Sequence, residues 1–319
     1  MAQHRRFALV TGCGQGGIGE ALVKQYALAG LHPIATVLPS EPSDHLTKAG
    51  ITWFPLDVTN EESIVDLKRQ LFDLTGGRLH ILVNNAGICY TMTAIDTDVT
   101  AVQKMFDVNV LGPMRMVHHF HEMLITSAGT IVNIGSVGGI VPYVYGASYN
   151  ATKAALHHWG NTLRLEMAPL GQVFLRYPGS ITSQVTNKLD KIISGEIGTN
   201  ILKSDSSREL PQGLYLNGKC FTWELKASAG SYFSPLALEF KQHVQRVPDS
   251  TDRFQYAAKV VAQSLKPIPP AWFWYGKTTG IVRFFETFGC RTIWDYILWY
   301  VFDFGKLRDA TRAQLKKEL

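Results

Sequence analysis

A phenol and an ammonium stand four positions apart, at Tyr149 and Lys153. Residues at i and i+4 lie on the same face of an α-helix, so this spacing predicts that the two side chains are neighbours. A free phenol has a pKa of about 10 and is a poor proton donor or base at neutral pH. Because a nearby cation stabilises phenolate, we expect Lys153 to lower the pKa of Tyr149. Taken alone, the spacing also fits an ordinary surface Tyr and Lys.

Further polar and glycine-rich features precede this pair along the chain. A glycine-rich turn follows a short apolar run, and after it come the string Asn84, Asn85, Ala86 and Gly87, then Asn109 and Ser136. In this order the features resemble the short-chain dehydrogenase/reductase family. The resemblance covers roughly residues 5 to 182 well, and the remainder only in patches.

The hydrophobic pattern predicts alternating strands and helices. Strands are expected at 7–10, 32–38, 51–56, 81–84, 130–134, 173–177 and 271–275, and helices at 18–29, 60–75, 98–125, 148–170 and 250–265. Such alternation is typical of a parallel sheet covered by helices on both faces. The fold class is therefore α/β: a Rossmann-type, doubly wound parallel sheet in three layers, whose ligands bind at the strand ends.

Composition limits the organisation and the partners. A chain of 319 residues, 46% of them hydrophobic, can bury a large core as one NAD(P)-binding domain spanning 1–319. Its net charge is +5, but no basic block interleaved with aromatics appears before the C-terminal part, which argues against nucleic acid as a partner. Four widely spaced cysteines favour a reducing compartment, and the first apolar run is too short for a signal peptide. These features predict a cytoplasmic protein.

Within that domain we distinguish four parts. Residues 5–182 form the cofactor and catalytic core, and 183–248 form an enlarged substrate loop rich in Gly, Ser, Asn and Lys. Residues 249–280 supply the last helix and strand, and 281–319 form an aromatic C-terminal extension. No internal repeat is visible.

The glycine-rich turn predicts a dinucleotide site. Glycines at such a turn allow a tight bend, close approach of the backbone to a diphosphate and packing of helix on strand. The amides at the start of the following helix then face the phosphates. The family usually spaces this turn Thr-Gly-x-x-x-Gly-x-Gly, and this chain has one more residue before Gly17, Ile18 and Gly19. The residues assigned here to the cofactor are Gly12, Gln15, Gly17, Ile18 and Gly19.

The choice between NADP and NAD depends on the end of the second strand. Relatives that use NAD place an acidic residue there for the ribose 2′-hydroxyl, and NADP users place Arg or Lys for the 2′-phosphate. The stretch 37–40 contains neither, so Leu38 and Ser40 are assigned as ribose contacts for either coenzyme. We expect NADP, because carbonyl-reducing relatives use it; NAD remains the alternative.

The resemblance assigns further contacts to the cofactor. Asp57, with Val58 after it, matches the adenine contact, although Asp57 could equally cap the following helix. The Asn84 string matches a segment that steadies the sheet and passes the adenine ribose, which assigns Asn85, Ala86 and Gly87 to the cofactor. After the predicted sixth strand, this chain matches the family's segment that holds the nicotinamide carboxamide. The residues assigned to the cofactor there are Pro178, Gly179, Ile181 and Thr182.

By the same resemblance, four residues carry the chemistry. Tyr149 is the proton donor in carbonyl reduction, Lys153 binds the nicotinamide ribose and tunes the phenol, and Ser136 hydrogen-bonds the substrate oxygen. Tyr149 and Lys153 are both also assigned to the cofactor. Asn109 bends its helix and holds a water that links Lys153 to solvent. Negative charge that develops on a carbonyl oxygen during hydride transfer needs such donors at close range. Tyr143 and Tyr145 have no Lys four positions later, and we expect them to line the pocket.

Histidines suggest a metal site that we do not adopt. His118, His119 and His121 crowd one helix, and His157 and His158 follow on another. No acidic or thiol ligand stands at matching spacing, and hydride transfer needs no metal. We therefore predict no metal.

Aromatic residues are concentrated in the C-terminal extension. This part resembles fungal short-chain reductases related to the enzyme that reduces acyl-dihydroxyacetone phosphate. Charged residues interrupt it too often for a spanning helix, but an interfacial segment with basic residues behind it is reasonable. Such a segment would place part of the protein at the endoplasmic reticulum or at lipid droplets. An equal alternative is that the aromatics cap the pocket or pack on a partner subunit.

These features predict an enzyme that uses NADPH to reduce a ketone or aldehyde on an apolar small molecule. One alternative is an NAD-linked secondary-alcohol dehydrogenase with the same residues. Another is a non-redox protein that keeps the fold and cofactor as a scaffold, against which the intact Tyr149, Lys153 and Ser136 argue. The family resemblance also implies a homo-oligomer.

Overall fold

The strands that build the centre of the molecule are apolar and buried on both faces. In the computed structural model, which describes residues 5–170, 189–194, 231–240, 251–289 and 292–318, they form one parallel sheet. Its seven strands run in the order β3-β2-β1-β4-β5-β6-β7. The strands are β1 Phe7–Val10, β2 His32–Val37, β3 Thr52–Pro55, β4 Ile81–Asn84, β5 Thr130–Ile134, β6 Leu189–Ser194 and β7 Trp272–Tyr275. The predicted doubly wound sheet is confirmed.

Helices cover both faces of this sheet, as buried parallel strands require. The helices are α1 Ile18–Leu28, α2 Asp44–Lys48, α3 Glu61–Thr75, α4 Val99–Phe106, α5 Gly112–Thr126, α6 Ala147–Met167, α7 Arg253–Ser264, α8 Thr279–Phe288, α9 Ile293–Val301 and α10 Phe304–Glu318. A π-helical turn, Asp107–Leu111, joins α4 to α5. Within the described residues, none of these helices is long and apolar enough to span a membrane.

The core lies in two layers, one on each side of the sheet. On one side, α1 and α7 pack together, and their buried side chains include Tyr26 and Tyr256. The Tyr26 hydroxyl lies 2.8 Å from Ser264 Oγ, so the polar end of this large side chain is satisfied inside the core. On the other side, α3 and α5 contribute Leu67 and Phe120 among others.

The order of strands places a switch point between β1 and β4. Ala8 of β1 pairs with Pro33 of β2 on one side and with Ile81 of β4 on the other. The chain therefore leaves β1 toward one edge of the sheet and returns to build the other. The crevice at the carboxyl ends of β1 and β4 is where open α/β sheets bind ligands.

The sixth strand differs from the sequence prediction. The segment 173–177 lies outside the described residues, and the strand beside β5 is Leu189–Ser194, within the region predicted as substrate loop. It pairs with β5 through Ile131 and Leu189 and with β7 through Lys191 and Trp272, so both of its edges are hydrogen-bonded. Its two adjacent isoleucines suit a strand, a preference that the polar composition of the region obscured.

The helix at 253–264 and the aromatic strand at 272–275 agree with their predictions within a few residues. The long helix predicted at 98–125 is present as α4, the π-helical turn and α5.

Candidate active site

Tyr149 and Lys153 lie on one face of α6, near its beginning. The ammonium nitrogen of Lys153 is 5.7 Å from the centre of the Tyr149 ring. Lys153 is only 5% exposed, and its Nζ donates a hydrogen bond of 2.9 Å to the carbonyl oxygen of Ile134. The end of β5 therefore holds the ammonium beside the phenol.

Ser136 lies opposite this pair, two residues after β5 ends. Its side chain lies close enough to the Tyr149 hydroxyl to interact with it and to lower the pKa of the phenol. The amide of Gly138 donates to Ser136 Oγ over 3.1 Å, which fixes the hydroxyl within a tight turn. The structure thus brings together Ser136, Tyr149 and Lys153 from β5 and α6.

Burial dominates the protonation of the pair. It raises the pKa of Tyr149 well above 10, and the hydrogen bond with Ser136 opposes this rise. Burial also lowers the pKa of Lys153 to about 8. The expected lowering of the phenol pKa by Lys153 is therefore wrong, because the cost of desolvating phenolate raises this pKa and the ammonium donates its hydrogen bond to Ile134.

Cys89 is a neighbour of this pair that the sequence analysis did not identify. It follows the Asn84 string, and its electrostatic interaction raises the pKa of both Tyr149 and Lys153. Both effects are smaller than the effect of burial. No spacing signal in the sequence connects Cys89 to residues 60 positions later.

Asn109 is held in the π-helical turn between α4 and α5. It is 1% exposed, and its Oδ1 accepts from the Ile88 amide over 2.9 Å. Its Nδ2 donates to the Ile88 carbonyl over 2.9 Å and to Thr152 Oγ1 over 3.1 Å. Since Thr152 lies next to Lys153 and its hydroxyl donates to the Tyr149 carbonyl, Asn109 connects the segment after β4 to the turn of α6 that carries Tyr149 and Lys153.

His157 is a second residue that the sequence analysis missed at this site. It stands one helical turn after Lys153, is buried, and its Nε2 accepts the Ser136 amide over 3.3 Å. A Cβ at Gly139 would lie 2.6 Å from the imidazole, so glycine there lets the ring approach. The ring also contacts Trp272 of β7 edge to face. The i+4 spacing from Lys153 was the available signal.

The glycine turn between β1 and α1 has the shape needed for a dinucleotide. Gly12 has a φ of +69°, and a Cβ there would lie 2.8 Å from Ala86 Cα. A Cβ at Gly19 would lie 2.3 Å from the Gly12 carbonyl oxygen, so α1 passes closer to the turn than any side chain allows. Gly17 begins α1 without a side-chain cap, which leaves the first amides of the helix available to an anion. These residues fit the diphosphate of a bound NAD(P).

The Asn84 string supports this turn. Asn85 Nδ2 donates to the carbonyls of Thr11 and Gly12 over 2.8 and 2.9 Å, and the Ala86 amide donates to Thr11 Oγ1 over 3.0 Å. Asn84 donates to Asn133 Oδ1 across β4 and β5 over 2.8 Å. The string therefore ties the cofactor turn to the centre of the sheet.

The ribose end of the crevice contains a carboxylate that the sequence analysis overlooked. The stretch 37–40 lacks one, but Glu41 directly follows it, and its Oε2 would lie 3.1 Å from a Cβ at Gly14. The amide of Glu41 donates to the Leu38 carbonyl over 2.9 Å, so a turn brings the side chain back toward the glycines. The conclusion that no carboxylate stands at this end is therefore corrected.

Of the other predicted cofactor residues, the structure describes Asp57 and Val58 but not the four after the predicted sixth strand. The Asp57 carboxylate accepts from the amide and hydroxyl of Thr59, while Asn60 caps α3, so Asp57 is not the helix cap. Val58 is buried beside Gly112 of α5. Pro178, Gly179, Ile181 and Thr182 lie outside the described residues.

Part of the C-terminal extension packs on the loop between Ser136 and Tyr149. Val141 in this loop forms a cluster with Val282, Trp294 and Leu298 of α8 and α9. The ring of Phe302 meets the rings of Tyr143 and Tyr145 edge to face, at 5.7 and 5.5 Å between centres. Tyr145 also contacts Phe240 at 4.9 Å. These rings therefore pack together into one cluster, the aromatic wall, on the loop between Ser136 and Tyr149.

Comparisons with known proteins agree with this geometry. The model of the short chain dehydrogenase family matches residues 6–193. The chain is 60% identical over 319 residues to short-chain dehydrogenase virD of Hypocrea virens, covering 100% of both chains. It is 43% identical over 184 residues to the NADPH-dependent 1-acyldihydroxyacetone phosphate reductase of Schizosaccharomyces pombe, covering 57% of this chain and 62% of that protein.

A solved structure supports the fold. The structure of a short-chain dehydrogenase from Streptomyces avermitilis superposes with a TM-score of 0.67 at 23% identity, covering 98% of this chain and 100% of that one. The family match covers more than half of the chain, and the fold and the cofactor turn agree with it. The chain belongs to the short-chain dehydrogenase/reductase family and is an NAD(P)-dependent oxidoreductase.

Proposed function

We propose that the protein reduces a ketone or aldehyde group on an apolar small molecule to an alcohol, with NADPH as the coenzyme. The observation that carries this proposal is the grouping of the Ser136 hydroxyl with the Tyr149 hydroxyl, with the buried ammonium of Lys153 5.7 Å from the centre of the Tyr149 ring. The bound dinucleotide supplies the hydride. Two neighbouring hydroxyls can both donate to a carbonyl oxygen as negative charge develops on it.

In this proposal Tyr149 gives its proton to the substrate oxygen. Its raised pKa keeps the phenol protonated at neutral pH, and proton transfer becomes favourable only as the substrate oxygen gains negative charge and basicity during hydride transfer. Lys153 stays mainly charged below a pKa of about 8 and stabilises the phenolate that remains after transfer. Ser136 donates to the same oxygen and orients it. This protonation state supports reduction over the alternative of NAD-linked alcohol oxidation.

The aromatic wall supports an apolar substrate. Tyr143, Tyr145, Phe240 and Phe302 bring four rings together next to the loop that carries Ser136. Such surfaces bury large apolar areas and accept flat or aliphatic groups. The name of the Schizosaccharomyces pombe relative, a reductase of an acyl-bearing phosphate ester, is consistent with a substrate that has a long apolar part.

The test follows NADPH consumption with a panel of apolar ketones and aldehydes. Tyr149→Phe should lower the rate by about 100-fold or more, because it removes the general acid without removing the ring. Tyr143→Phe removes the same hydroxyl from a neighbouring loop position and should keep activity close to wild type. If NADPH binds tightly but no member of the panel is reduced, and Tyr149→Phe changes nothing, the scaffold alternative replaces this proposal.

We propose NADPH rather than NADH on the strength of the named NADPH-dependent relative. Glu41 beside Gly14 is the observation that favours NADH, because a carboxylate repels a 2′-phosphate and accepts from a ribose hydroxyl. Titration of NADPH and NADH into wild type and into Glu41→Gln distinguishes the two hypotheses about the coenzyme. If NADPH is the natural coenzyme, wild type should bind NADPH more tightly than NADH, and Glu41→Gln should bind NADPH more tightly than wild type does. A preference for NADH that Glu41→Gln weakens would contradict the proposal.

We also propose that the outer surface of α8 and α9 contacts a lipid surface. α8 exposes Ile281, Phe284 and Phe288, and α9 exposes Tyr296, Trp299 and Tyr300. Phe288 is 78% exposed and Tyr300 is 88% exposed. Each set follows the i, i+3 and i+4 or i+7 spacing of one helical face, and Arg283 and Lys277 are exposed nearby. Aromatic side chains with flanking cations suit the headgroup region of a membrane.

Flotation with vesicles containing anionic phospholipid tests this contact. Wild type should float, and Phe288→Ser with Tyr300→Ser should float much less, while Leu28→Ser, which removes an equally exposed apolar residue from α1, should not change flotation. If the double variant instead converts an oligomer to a monomer, the surface packs on a second subunit. A fluorescent fusion that stays evenly cytoplasmic would oppose the proposed location at the endoplasmic reticulum or lipid droplets.

A further inference from the structure

Both backbone polar groups of Gly16 are held by charged side chains. The Gly16 amide donates to Glu20 Oε2 over 2.7 Å, and its carbonyl accepts from Arg253 Nη1 over 3.0 Å. Gly16 has a φ of +80°, a conformation that side-chain-bearing residues rarely adopt. This peptide lies at the extra residue of the glycine turn, directly before the first amides of α1.

Glu20 and Arg253 come from helices that are far apart in sequence. Glu20 lies in the first turn of α1, is 4% exposed and pairs with Lys24 at 2.5 Å. Arg253 begins α7, 233 positions later, and its Nη2 lies 3.6 Å from Glu20 Oε2. The close packing of α1 on α7 brings them to the same end of the sheet. A distant helix therefore reaches the cofactor turn.

Neighbouring groups compensate the negative charge of Glu20. Burial alone would raise the pKa of Glu20, but the hydrogen bonds from Lys24 and Gly16 and the charges of Lys24 and Arg253 lower it, so the carboxylate is ionised. An uncompensated anion at the start of α1 would repel a diphosphate bound to the same helix end. Arg253 thus holds the Gly16 carbonyl and adds a smaller share to the compensation of the Glu20 charge, most of which comes from Lys24.

We propose that Arg253 is a positioning residue for the cofactor: with Glu20 it clamps the enlarged glycine turn in the conformation that receives the diphosphate. The clamp lets this chain accommodate one residue more than the usual turn spacing. This inference goes beyond the proposed function, because it concerns cofactor binding and not the substrate or the proton donor.

The experiment measures the dissociation constants of NADPH and NADH by fluorescence titration, together with amide hydrogen exchange of the cofactor-free protein. Arg253→Met should weaken both coenzymes by roughly tenfold, as expected for loss of one charge-assisted hydrogen bond at the site. Faster exchange should be confined to the turn and the first residues of α1. Arg253→Lys, which keeps the charge, should recover part of the affinity.

Lys259→Met is the matched control, because it removes an exposed cation from the same helix away from the turn. It should leave both dissociation constants and the exchange pattern unchanged. Unchanged affinity in Arg253→Met, or weaker binding with faster exchange across the whole sheet, would overturn the inference. The clamp is read from coenzyme affinity in Arg253→Met, and the proposed reaction is read from carbonyl reduction by wild type, so failure of the clamp and failure of the proposed reaction give different results.

Discussion

Replacement of Asn109 by alanine tests whether the π-helical turn is held by one side chain. The change removes three hydrogen bonds from a buried position, two of them to the backbone of Ile88 and one to Thr152. A buried amide or carbonyl left without its partner costs about 1–3 kcal/mol. With both groups of Ile88 affected, we expect Asn109→Ala to lower the free energy of unfolding by about 2–5 kcal/mol.

Urea unfolding at neutral pH, followed by circular dichroism, measures this loss. Asn60→Ala is the control, because it also removes an asparagine that accepts a backbone amide, but at the exposed start of α3. Loss of that cap should cost about 1 kcal/mol. If Asn109→Ala is no more destabilised than Asn60→Ala, the turn is held by packing or water and the reasoning from buried hydrogen bonds fails.

Three further predictions concern the cofactor turn and the catalytic pair. Burial lowers the pKa of Lys153 from 10.5 to about 8, so between these values the unfolded chain binds more protons than the folded one. The thermal stability of the cofactor-free protein should therefore rise with pH across this window, and Lys153→Met should lose that rise. Gly19→Ala places a Cβ 2.3 Å from the Gly12 carbonyl oxygen. It should weaken coenzyme binding by about tenfold or more in a fluorescence titration. Unchanged affinity would mean that α1 can move away from the turn. His157→Phe removes the acceptor of the Ser136 amide and should lower kcat about tenfold with little change in KM for the coenzyme. His157→Gln should recover part of the rate. If His157→Phe lowers kcat by the same factor in a Ser136→Ala protein as in wild type, His157 does not act through Ser136.

Local patterns in the sequence predicted every described strand except β6, together with helices α1 and α3 to α7. β1, β4 and β5 are short apolar runs buried on both faces, and such runs alternate with helical periods over the first half of the chain. The i+4 spacing of Tyr149 and Lys153 predicted their shared helical face, because that relation is set within one turn. Each of these relations depends on residues that are near in sequence.

The features that the sequence did not predict depend on tertiary packing. The carboxylate of Glu41 reaches Gly14 only because the chain turns back after β2. Arg253 reaches Gly16 only because α7 packs on α1. In the sequence, Glu41 is an acidic residue in a loop and Arg253 is a basic residue at the start of a helix. The residues next to them in sequence do not indicate which distant group either one contacts.

The protonation of the catalytic pair shows the same dependence on packing. A lysine near a tyrosine suggests a lowered phenol pKa, yet burial acts on both groups and favours their neutral forms. At pH 7 a phenol with a pKa of 10 is ionised in only about one molecule in a thousand, and the raised pKa of Tyr149 reduces this fraction further. Reduction needs the protonated phenol at its start, whereas oxidation needs phenolate. Because burial keeps the proton on Tyr149 at pH 7, any step that forms phenolate there must meet the cost of desolvating that anion, and tertiary packing sets this cost.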